Sequence, residues 1–408
     1  MPVLSNIGML YTCAAAGGQA ELHPVKYAAL VWERDKIVWT GPEASLPAKY
    51  QEWERVNAGG KMVIPGLVEC HTHLAFGGWR ADEFELRSLG RPYIEIAKSG
   101  GGILSSVRAT REASPEELLT KCLGHLEQMK ALGITTVECK SGYGLNRDDE
   151  LKLLQVYRDL DRMQPLDIVS TFLGAHMVPP EYADQREKYV SFLVEEMLPA
   201  VAEAQLARFC DIFIEETAFT IDEAYTILAN AIDYGFMLKL HADQLSAGGG
   251  AELAAQLGAV SADHLEYISD AGIQAMKNAD VVAVSLPLAS FYLRLPAIPA
   301  RKLIEAGVSV AVSTDFNPGS APSFHLPAAM TMACTLQHMS PAEVLKGATL
   351  YAAKALRMQH DIGSLEPGKR ADFALIDAPS VNHWLYHLRP NACTASWKDG
   401  IQIHGQDS

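Results

Sequence analysis

Residues 65–73 of the chain read PGLVECHTH, a short apolar run that ends in two histidines one residue apart. Residues i and i+2 of a β-strand project from the same face, so His71 and His73 can approach one point. An isolated pair of this kind is a weak signal for a metal site. It gains weight here because further histidines and carboxylates follow other apolar runs of the chain.

Short apolar runs alternate with longer stretches, such as 115–132 and 221–234, that carry apolar residues at helical spacing. We predict strands at 63–68, 135–139, 167–173, 211–214, 237–240, 260–262, 281–285 and 309–313. This number of strand–helix units is typical of a parallel (β/α)₈ barrel, an α/β fold. A doubly wound open sheet is the alternative that the pattern leaves open.

The residues at the ends of these predicted strands favour the barrel. Most of the strands end in polar or ionisable side chains: His71 and His73, Glu138 and Lys140, His176, Glu215, His241, His264, and Asp315. A barrel builds its active site from the carboxyl ends of several strands at once. Polar residues that merely cap a strand could explain one or two of these positions but not the whole series.

The two ends of the chain have a different pattern from the middle. Short strand-like runs at 27–32 and 36–40 near the start resemble those at 371–376 and 401–403 near the end. Neither end alone has enough strands to bury a face. We therefore predict a small β-sandwich built from residues 1–64 and 359–408, with the barrel over 65–358.

Composition and charge exclude several classes of protein. Of the 408 residues, 49% are hydrophobic and 20% charged, which is typical of a globular protein. Asp and Glu number 49 against 34 Lys and Arg, a net charge of −15 that disfavours nucleic acid or an anionic membrane as partner. No apolar run is long enough to span a bilayer. The seven cysteines form no CxxC pair, so we expect neither disulfides nor a thiolate metal site. We also expect a cytoplasmic location.

Two further residues at predicted strand ends complete a set of metal ligands. His241 and Asp315, together with the HxH pair, supply three nitrogens and one carboxylate oxygen. That set suits Zn²⁺ or Fe and does not suit Mg²⁺ or Ca²⁺. His264 is left over, and we expect it to contact the water that such a metal would activate.

Stretches spread over nearly the whole chain resemble one known family. PGLVECHTH at 65–73 and GSLEPGKRAD at 363–372 resemble signature stretches of the metal-dependent amidohydrolase superfamily. Further blocks resemble the branch of that superfamily that opens an imidazolone ring in histidine degradation: HTHLAFGGWR at 71–80, EFELR at 83–87, GGGI at 100–103, KSGYG at 140–144, FLGAH at 172–176, LHADQ at 240–244, DHLEY at 263–267 and TDFNPGS at 314–320.

The resemblance implies a barrel fold and a site with a single zinc or iron ion. The implied ligands are His71, His73, His241 and Asp315. Many members of the superfamily bind two metals bridged by a carboxylated lysine on the fourth strand. Here the predicted fourth strand, 211–214, and the two residues after it contain no lysine, in agreement with one metal.

The reaction implied is hydrolysis of the cyclic amide of 4-imidazolone-5-propanoate to N-formimidoyl-L-glutamate. Asp315 would take the proton of the attacking water and deliver it to the departing ring nitrogen, and His264 would help to position water and carbonyl. The resemblance also implies a small-molecule substrate and a possible homodimer. It further suggests that the glycines at 100–102 form a loop that closes over the site.

Residues at positions that match the family's substrate contacts are expected to bind the substrate here. Arg80 would hold the propionate, because a guanidinium can clamp a carboxylate through two hydrogen bonds. Tyr143 would meet the ring and the carboxylate, and His176 the ring. For these three residues the alternatives are a solvated cation, a packing tyrosine and a core histidine.

Two more substrate contacts are expected on loops. Gln244 would donate and accept hydrogen bonds, since an amide cannot act as a general base. The turn containing Asn317, Gly319 and Ser320 would offer backbone amides and a hydroxyl to a carboxylate, although it could also be only a tight turn.

Two rival functions remain open on the sequence. A deaminase of a nucleobase or related heterocycle can use the same metal ligands, but it would release ammonia and would not need Arg80. A non-catalytic scaffold with this fold would be expected to have lost metal ligands, whereas all of them are present here.

Overall fold

The computed structural model describes residues 2–91 and 101–405. Its strands are β1 Pro2–Tyr11, β2 Pro24–Glu33, β3 Lys36–Pro42, β4 Glu54–Asn57, β5 Met62–Pro65, β6 Leu67–Glu69, β7 Ile134–Lys140, β8 Asp167–Ala175, β9 Phe209–Ile212, β10 Met237–Ala242, β11 Ser261–His264, β12 Val282–Ser285, β13 Val310–Val312, β14 Phe373–Ile376, β15 Cys393–Lys398 and β16 Ile401–His404.

Helices occupy most of the connections between these strands. The α-helices span Ala81–Ser88, Ile103–Glu112, Pro115–Ala131, Arg147–Met163, Arg186–Phe192, Leu198–Ala204, Ile221–Asp233, Gly250–Leu257, Asp270–Asn278, Pro287–Leu293, Ala300–Ala306, Leu326–Gln337, Pro341–Lys346, Ala352–Lys354 and Val381–Tyr386. Two π-helical segments, Leu193–Met197 and Gly347–Tyr351, continue helices of this set.

Strands β6 to β13 form one parallel sheet in which each strand pairs with the next along the chain. The first and last strands meet just beyond their ends, where the amide of Asp315 donates to the carbonyl of His71 at 3.2 Å and the amide of His73 to that of Phe316 at 2.8 Å. A doubly wound sheet reverses its strand order, which this sheet does not do. The predicted (β/α)₈ barrel is therefore confirmed.

The burial of the barrel strands explains their sequences. Every residue of β6, β7, β9, β11, β12 and β13 is buried. Parallel strands covered on both faces favour continuous apolar runs over alternation of polar and apolar residues. The helices outside them start at strong caps, since Ser114, Thr220 and Ser340 each form a capping box with the glutamate three residues later.

A separate sheet combines the two ends of the chain. Its order is β16-β15-β14-β5-β1-β2-β3, with β4 paired to β1, and β14 from the end of the chain lies antiparallel to β5 from the beginning. Its apolar core includes Leu30 and the stacked rings of Phe373 and Trp397, whose centroids are 4.7 Å apart. The predicted β unit built from both chain ends is confirmed as this sheet. The domain bounds 1–64, 65–358 and 359–408 stay a prediction.

The predicted strand at 63–68 is divided between the two sheets. Residues up to Pro65 pair with β14 in the terminal sheet, and the barrel begins at Leu67. Gly66 lies at the crossing, where a Cβ atom would come within 2.3 Å of Thr135 Oγ1 on the neighbouring strand β7. Because both halves of this run are buried, hydrophobicity alone does not reveal the break.

None of the helices within the described ranges is both long and apolar enough to cross a membrane. All seven cysteines are free thiols. Burial raises the pKa of the Cys70 thiol to about 12, so this cysteine beside the HxH pair stays protonated at neutral pH and is a poor nucleophile.

Candidate active site

A cavity of about 760 Å³ opens at the carboxyl ends of the barrel strands. The residues predicted from the sequence that line it are His73, Arg80, Tyr143, His176, His241, Gln244, His264, Asp315, Asn317 and Ser320. Two predicted residues lie just behind this lining: His71 is fully buried, and Gly319 packs against the guanidinium of Arg80. The fold thus brings every predicted site residue to one place.

The side chains expected to hold a metal form two overlapping groups. One group consists of His71, His241 and His264, and the other of His71, His73 and Asp315. Within each group the possible ligand atoms lie within 4.8 Å of one another, and all of the residues are buried. His71 is common to both groups, so the four predicted ligands and His264 surround a single centre.

Carboxylates behind this centre orient two of its histidines. Nδ1 of His71 donates to Asp263 Oδ2 at 2.6 Å, and Nδ1 of His241 donates to Asp211 Oδ1 at 3.1 Å. The donor must be the imidazole, because an ionised carboxylate only accepts. Both Nε2 atoms are buried and have no hydrogen-bond partner among the described residues. Histidines that bind a metal are typically held in this way, so the arrangement fits a metal ion.

The two orienting carboxylates are ionised at neutral pH. Burial alone would raise the pKa of Asp211, but His241 and Lys140 hold it well below its usual range. Burial would also raise the pKa of Asp263, yet Lys239 and its other cationic neighbours lower it. Each carboxylate can therefore stabilise positive charge that its histidine acquires on binding a metal.

The remaining groups of the cluster have complementary ionisation states. Burial lowers the pKa of His73 to about 4 and holds that of His264 well below its usual range, so both imidazoles are neutral at pH 7. Burial would raise the pKa of Asp315, but His71 and His73 keep it well below its usual range. Asp315 Oδ1 lies 3.3 Å from His71 Nε2 and 3.5 Å from His73 Nε2. Imidazole nitrogens and one carboxylate are the donors that zinc and iron accept.

Unusual backbone conformations occur at the same strand ends. His264, Leu265 and Asp315 have φ angles of +79°, +68° and +60°. Such angles are uncommon for residues other than glycine, and they concentrate at functional sites where the surrounding structure enforces them. At these residues the chain turns after β11 and β13, at the rim of the cavity.

Arg80 is held in place by a neighbouring glutamate. Its Nε donates to Glu83 Oε2 at 3.0 Å, while Glu83 Oε1 accepts the amide hydrogen of Gly102 at 2.7 Å. A Cβ atom at Gly319 would lie 2.2 Å from Arg80 Cζ, so the absence of a side chain there lets the guanidinium approach the turn. Arg80 is therefore a buried, oriented cation at the cavity wall and not a solvated loop residue.

The glycine loop at 100–102 is only partly described. Gly100 lies outside the described residues. Gly101 lines the cavity, and Gly102 is tied to Glu83 by its amide. The predicted closure of this loop over the site stays a prediction.

Tyr143 lies on a loop that a buried carboxylate organises. Glu150 accepts hydrogen bonds from the amides of Gly142, Gly144 and Leu145 at distances of 3.1, 2.7 and 2.9 Å. The Tyr143 ring is 3% exposed, so nearly all of its surface faces protein or the cavity interior. The loop therefore presents Tyr143 in a fixed orientation.

His176 stacks on one of the implied metal ligands. Its ring centroid lies 5.1 Å from that of His73, with the planes 17° apart. Nδ1 of His176 donates to the carbonyl of Gly142 at 3.0 Å, which makes Nε2 the acceptor nitrogen. Burial holds the pKa of His176 well below its usual range, so the ring is neutral and can accept a hydrogen bond in the cavity.

Gln244 lies on a loop braced by two carboxylates. Glu215 accepts the amides of residues 245 and 246 at 2.7 and 3.1 Å. Asp243 accepts the amides of residues 248–251 at distances from 2.9 to 3.2 Å, which caps the helix that follows. Glu215, which follows the fourth barrel strand, thus supports the position of Gln244 and is not part of the metal cluster.

The turn after Asp315 is stabilised by its own asparagine. Asn317 Oδ1 accepts the amides of Gly319 and Ser320 at 2.8 and 2.7 Å, and Asn317 Nδ2 donates to the carbonyl of Asp315 at 2.7 Å. Those two amides are therefore engaged within the turn. The side chains of Asn317 and Ser320 line the cavity and are the parts of this turn that can meet a ligand.

The carboxylates that support these residues were not predicted from the sequence. Five of them are buried, and each orients a residue of the site or the loop that carries one: Asp211, Asp263, Glu83, Glu150 and Asp243. One feature of the sequence could have indicated them. An ionisable residue within an apolar barrel strand, such as Asp211, needs a charged or hydrogen-bonding partner when it is buried. Which residue that partner is depends on contacts between distant parts of the chain.

Comparison with known proteins assigns the family. The model of the amidohydrolase family matches residues 62–404. A solved structure of 5-methylcytosine deaminase from Klebsiella pneumoniae superposes with a TM-score of 0.74 over all of this chain and 98% of that one, at 15% identity, which establishes a shared fold. The chain belongs to the amidohydrolase family.

Its similarity to one group within that family is much higher. Imidazolonepropionase of Fusobacterium nucleatum is 47% identical over 98% of this chain and 97% of its own length. Imidazolonepropionase of Symbiobacterium thermophilum is 48% identical over 91% of this chain and 90% of its own length. Within the amidohydrolases, the chain belongs with the imidazolonepropionases, as the resemblance predicted.

Proposed function

We propose that this protein hydrolyses the ring amide of 4-imidazolone-5-propanoate to N-formimidoyl-L-glutamate, a step of histidine degradation. Full-length similarity to imidazolonepropionases supports this function. The observation that carries it is the presence of Arg80 in the same cavity as the His/Asp cluster. A carboxylate clamp beside a metal centre suits an anionic cyclic amide.

The metal we propose is one zinc or iron ion held by His71, His73, His241 and Asp315. When bound, it would lower the pKa of a coordinated water and polarise the ring carbonyl. The orientation of His71 and His241 by carboxylates, with both buried Nε2 atoms making no hydrogen bond among the described residues, supports this ligand set.

Asp315 and His264 would handle the protons of the reaction. Asp315 accepts the proton of the attacking water at its carboxylate and returns it to the ring nitrogen as the carbon–nitrogen bond breaks. The low pKa of Asp315 keeps it ready to accept a proton at neutral pH. His264 lies beside it with a neutral ring whose Nδ1 has no partner among the described residues, so it can hydrogen-bond the water or the carbonyl.

The remaining cavity residues would bind the substrate. Arg80 clamps the propionate, and Ser320 on the adjacent turn adds a hydroxyl. His176 accepts a hydrogen bond from the ring, and Tyr143 contacts both the ring and the carboxylate. Three other residues complete the predicted set: Gln244 by hydrogen bonding, and Asn317 and Gly319 by shaping the turn.

An assay with 4-imidazolone-5-propanoate tests the function directly. Metal-loaded protein should remove the ultraviolet absorbance of the substrate and form N-formimidoyl-L-glutamate without releasing ammonia. Absence of turnover by metal-loaded protein would contradict the proposal. Release of ammonia from heterocyclic amines in the same preparation would favour the deaminase alternative, which now rests on structural neighbours that share only the fold.

We also propose a cytoplasmic homodimer that binds neither nucleic acid nor membranes. The net charge of −15 supports the absence of nucleic acid and of anionic membranes among its partners. Light scattering on the purified protein would measure the oligomeric state, and a monomer at micromolar concentration would contradict the homodimer.

A further inference from the structure

A single buried ammonium group lies behind both oriented histidines. Lys140, at the end of β7, is fully buried, and its Nζ lies 2.8 Å from Asp211 Oδ2 and 2.7 Å from Glu138 Oε1. The same Nζ is 3.8 Å from Asp263 Oδ2. Asp211 and Asp263 are the carboxylates that hold His241 and His71. Lys140 is therefore connected to two implied metal ligands on different strands.

We propose that Lys140 is a positioning residue of the metal centre, which fixes the two carboxylates that aim the imidazoles of His71 and His241. This inference rests on the proposed metal site, although Lys140 is not one of its ligands. The proposal gives a role to Lys140, for which the sequence predicted only a position at the end of a strand.

The geometry at Asp211 shows how one ammonium can fix an imidazole. Oδ1 of this carboxylate accepts the Nδ1 hydrogen of His241, and Oδ2 accepts from Lys140. With both oxygens engaged on opposite sides, the carboxylate cannot rotate without breaking an ion pair inside the barrel. The direction of the His241 ring is thereby fixed, and with it the position of Nε2 at the metal centre.

The charges around Lys140 give a second reason to assign it this positioning role. Glu138, Asp211 and Asp263 are three buried carboxylates around this ammonium. Burial would lower the pKa of Lys140, but Asp211 and Glu138 raise it above its usual range. The amine is therefore protonated at neutral pH. Without that ammonium the three buried carboxylates would lack their shared cation, and Asp211 and Asp263 would lose a contact that holds them in place.

Lys239 offers a matched control inside the same barrel. It is also fully buried, and it lies on β10 two residues before His241. Its Nζ is 3.9 Å from Asp263 Oδ2 and donates to the carbonyl of Ala355 at 3.3 Å. Among the described residues, Asp263 is its only ion-pair partner, so Lys239 does not connect the two histidines.

The test compares Lys140→Met with Lys239→Met by their affinity for Zn²⁺, measured by competition with a chromophoric chelator. Loss of a residue that supports metal ligands typically weakens binding by about 10–100-fold. We expect a loss of that size in Lys140→Met and a several-fold smaller loss in Lys239→Met. Equal losses in the two variants, or wild-type affinity in Lys140→Met, would overturn the proposal.

One additional variant protects the test against misfolding. Glu138→Gln/Lys140→Met removes one charge of each sign and keeps the net charge of the cluster, and its thermal unfolding can be compared with that of metal-free wild type. We expect it to fold and still to bind Zn²⁺ weakly. Wild-type Zn²⁺ affinity in this folded double variant would overturn the proposal even if Lys140→Met alone did not fold.

A double-mutant cycle asks whether Lys140 acts through Asp211. The loss of Zn²⁺ affinity in Asp211→Asn/Lys140→Met should be clearly smaller than the sum of the two single losses, because the variants remove the same support. Additive losses would overturn the proposal.

Spectra of the Co²⁺-loaded proteins add a readout of ligand geometry. The visible bands should shift more in Lys140→Met than in Lys239→Met, and unchanged bands in Lys140→Met would overturn the proposal. If wild type itself bound no Zn²⁺, the proposed function would fail first, which separates the two claims.

Discussion

The two walls of the cavity are built in different ways. On the metal side, His71, His241 and Asp315 come from the ends of barrel strands or the residues directly after them. On the substrate side, Arg80 and Tyr143 come from loops that buried glutamates hold in place. The barrel strands therefore supply both the metal ligands and the carboxylates that aim them, whereas Arg80 and Tyr143 each depend on a glutamate in a helix outside the barrel strands. Substitutions on the two sides should therefore have separable effects on metal content and on substrate binding.

The largest effect is expected for His241→Ala on the metal side. Removal of one of four protein ligands leaves a poor site, so both bound metal and activity should be lost. Elemental analysis of the purified variant, together with the hydrolysis assay, measures the two quantities. Full metal occupancy in the variant would show that His241 is not a ligand.

Asp315→Asn should follow, with kcat reduced by orders of magnitude. The amide cannot accept the proton of the attacking water, while its oxygen can still contribute weakly to metal binding. The comparison has to be made at equal metal content, after reconstitution. A kcat close to that of wild type in fully loaded protein would remove Asp315 from proton transfer.

Arg80→Met tests the substrate side. This change keeps much of the side chain's bulk but removes charge-assisted hydrogen bonds worth about 1.5–3 kcal/mol each. We expect kcat/KM to fall at least about tenfold, with metal content unchanged. The loss should shrink for an analogue that lacks the carboxylate. Equal losses on both compounds would mean that Arg80 supports the loop and that the carboxylate is bound elsewhere.

Glu83→Gln should have the smallest effect of the four. The amide keeps the shape of the side chain but weakens the contact with Arg80 Nε, so the guanidinium becomes less well oriented. We expect KM to rise several-fold with little change in kcat, and metal content to stay at the wild-type level. A drop in kcat at unchanged KM would argue against a role through Arg80.

The same contrast explains what the sequence could predict. The barrel followed from its apolar runs, and the positions of the histidines and Asp315 at strand ends followed from the barrel. The division of the run at 63–68 did not follow, because both halves are buried and the break depends on which distant strand each half pairs with, β14 before Gly66 and β7 after it.

The buried charged residues that orient the site could not be predicted from the sequence for a related reason. Asp263 and His71 are 192 positions apart, and Lys140 and Asp211 are 71 apart. No local pattern connects such residues, so the partner of a buried charge becomes visible only once the barrel is assembled. The turn after Asp315 could be predicted from its sequence. Its hydrogen bonds could not, since Asn317 already accepts the amides of Gly319 and Ser320 that were expected to bind a carboxylate.

In the reaction we propose, this site adds water to the ring carbonyl of 4-imidazolone-5-propanoate in a metal-dependent manner. Mass spectrometry of the product formed in ¹⁸O-water tests it most directly. We expect N-formimidoyl-L-glutamate with one ¹⁸O atom in the carboxylate derived from the ring carbonyl, formed by metal-loaded protein and not by chelator-treated protein. Absence of that product, or ¹⁸O at any other position, would contradict it.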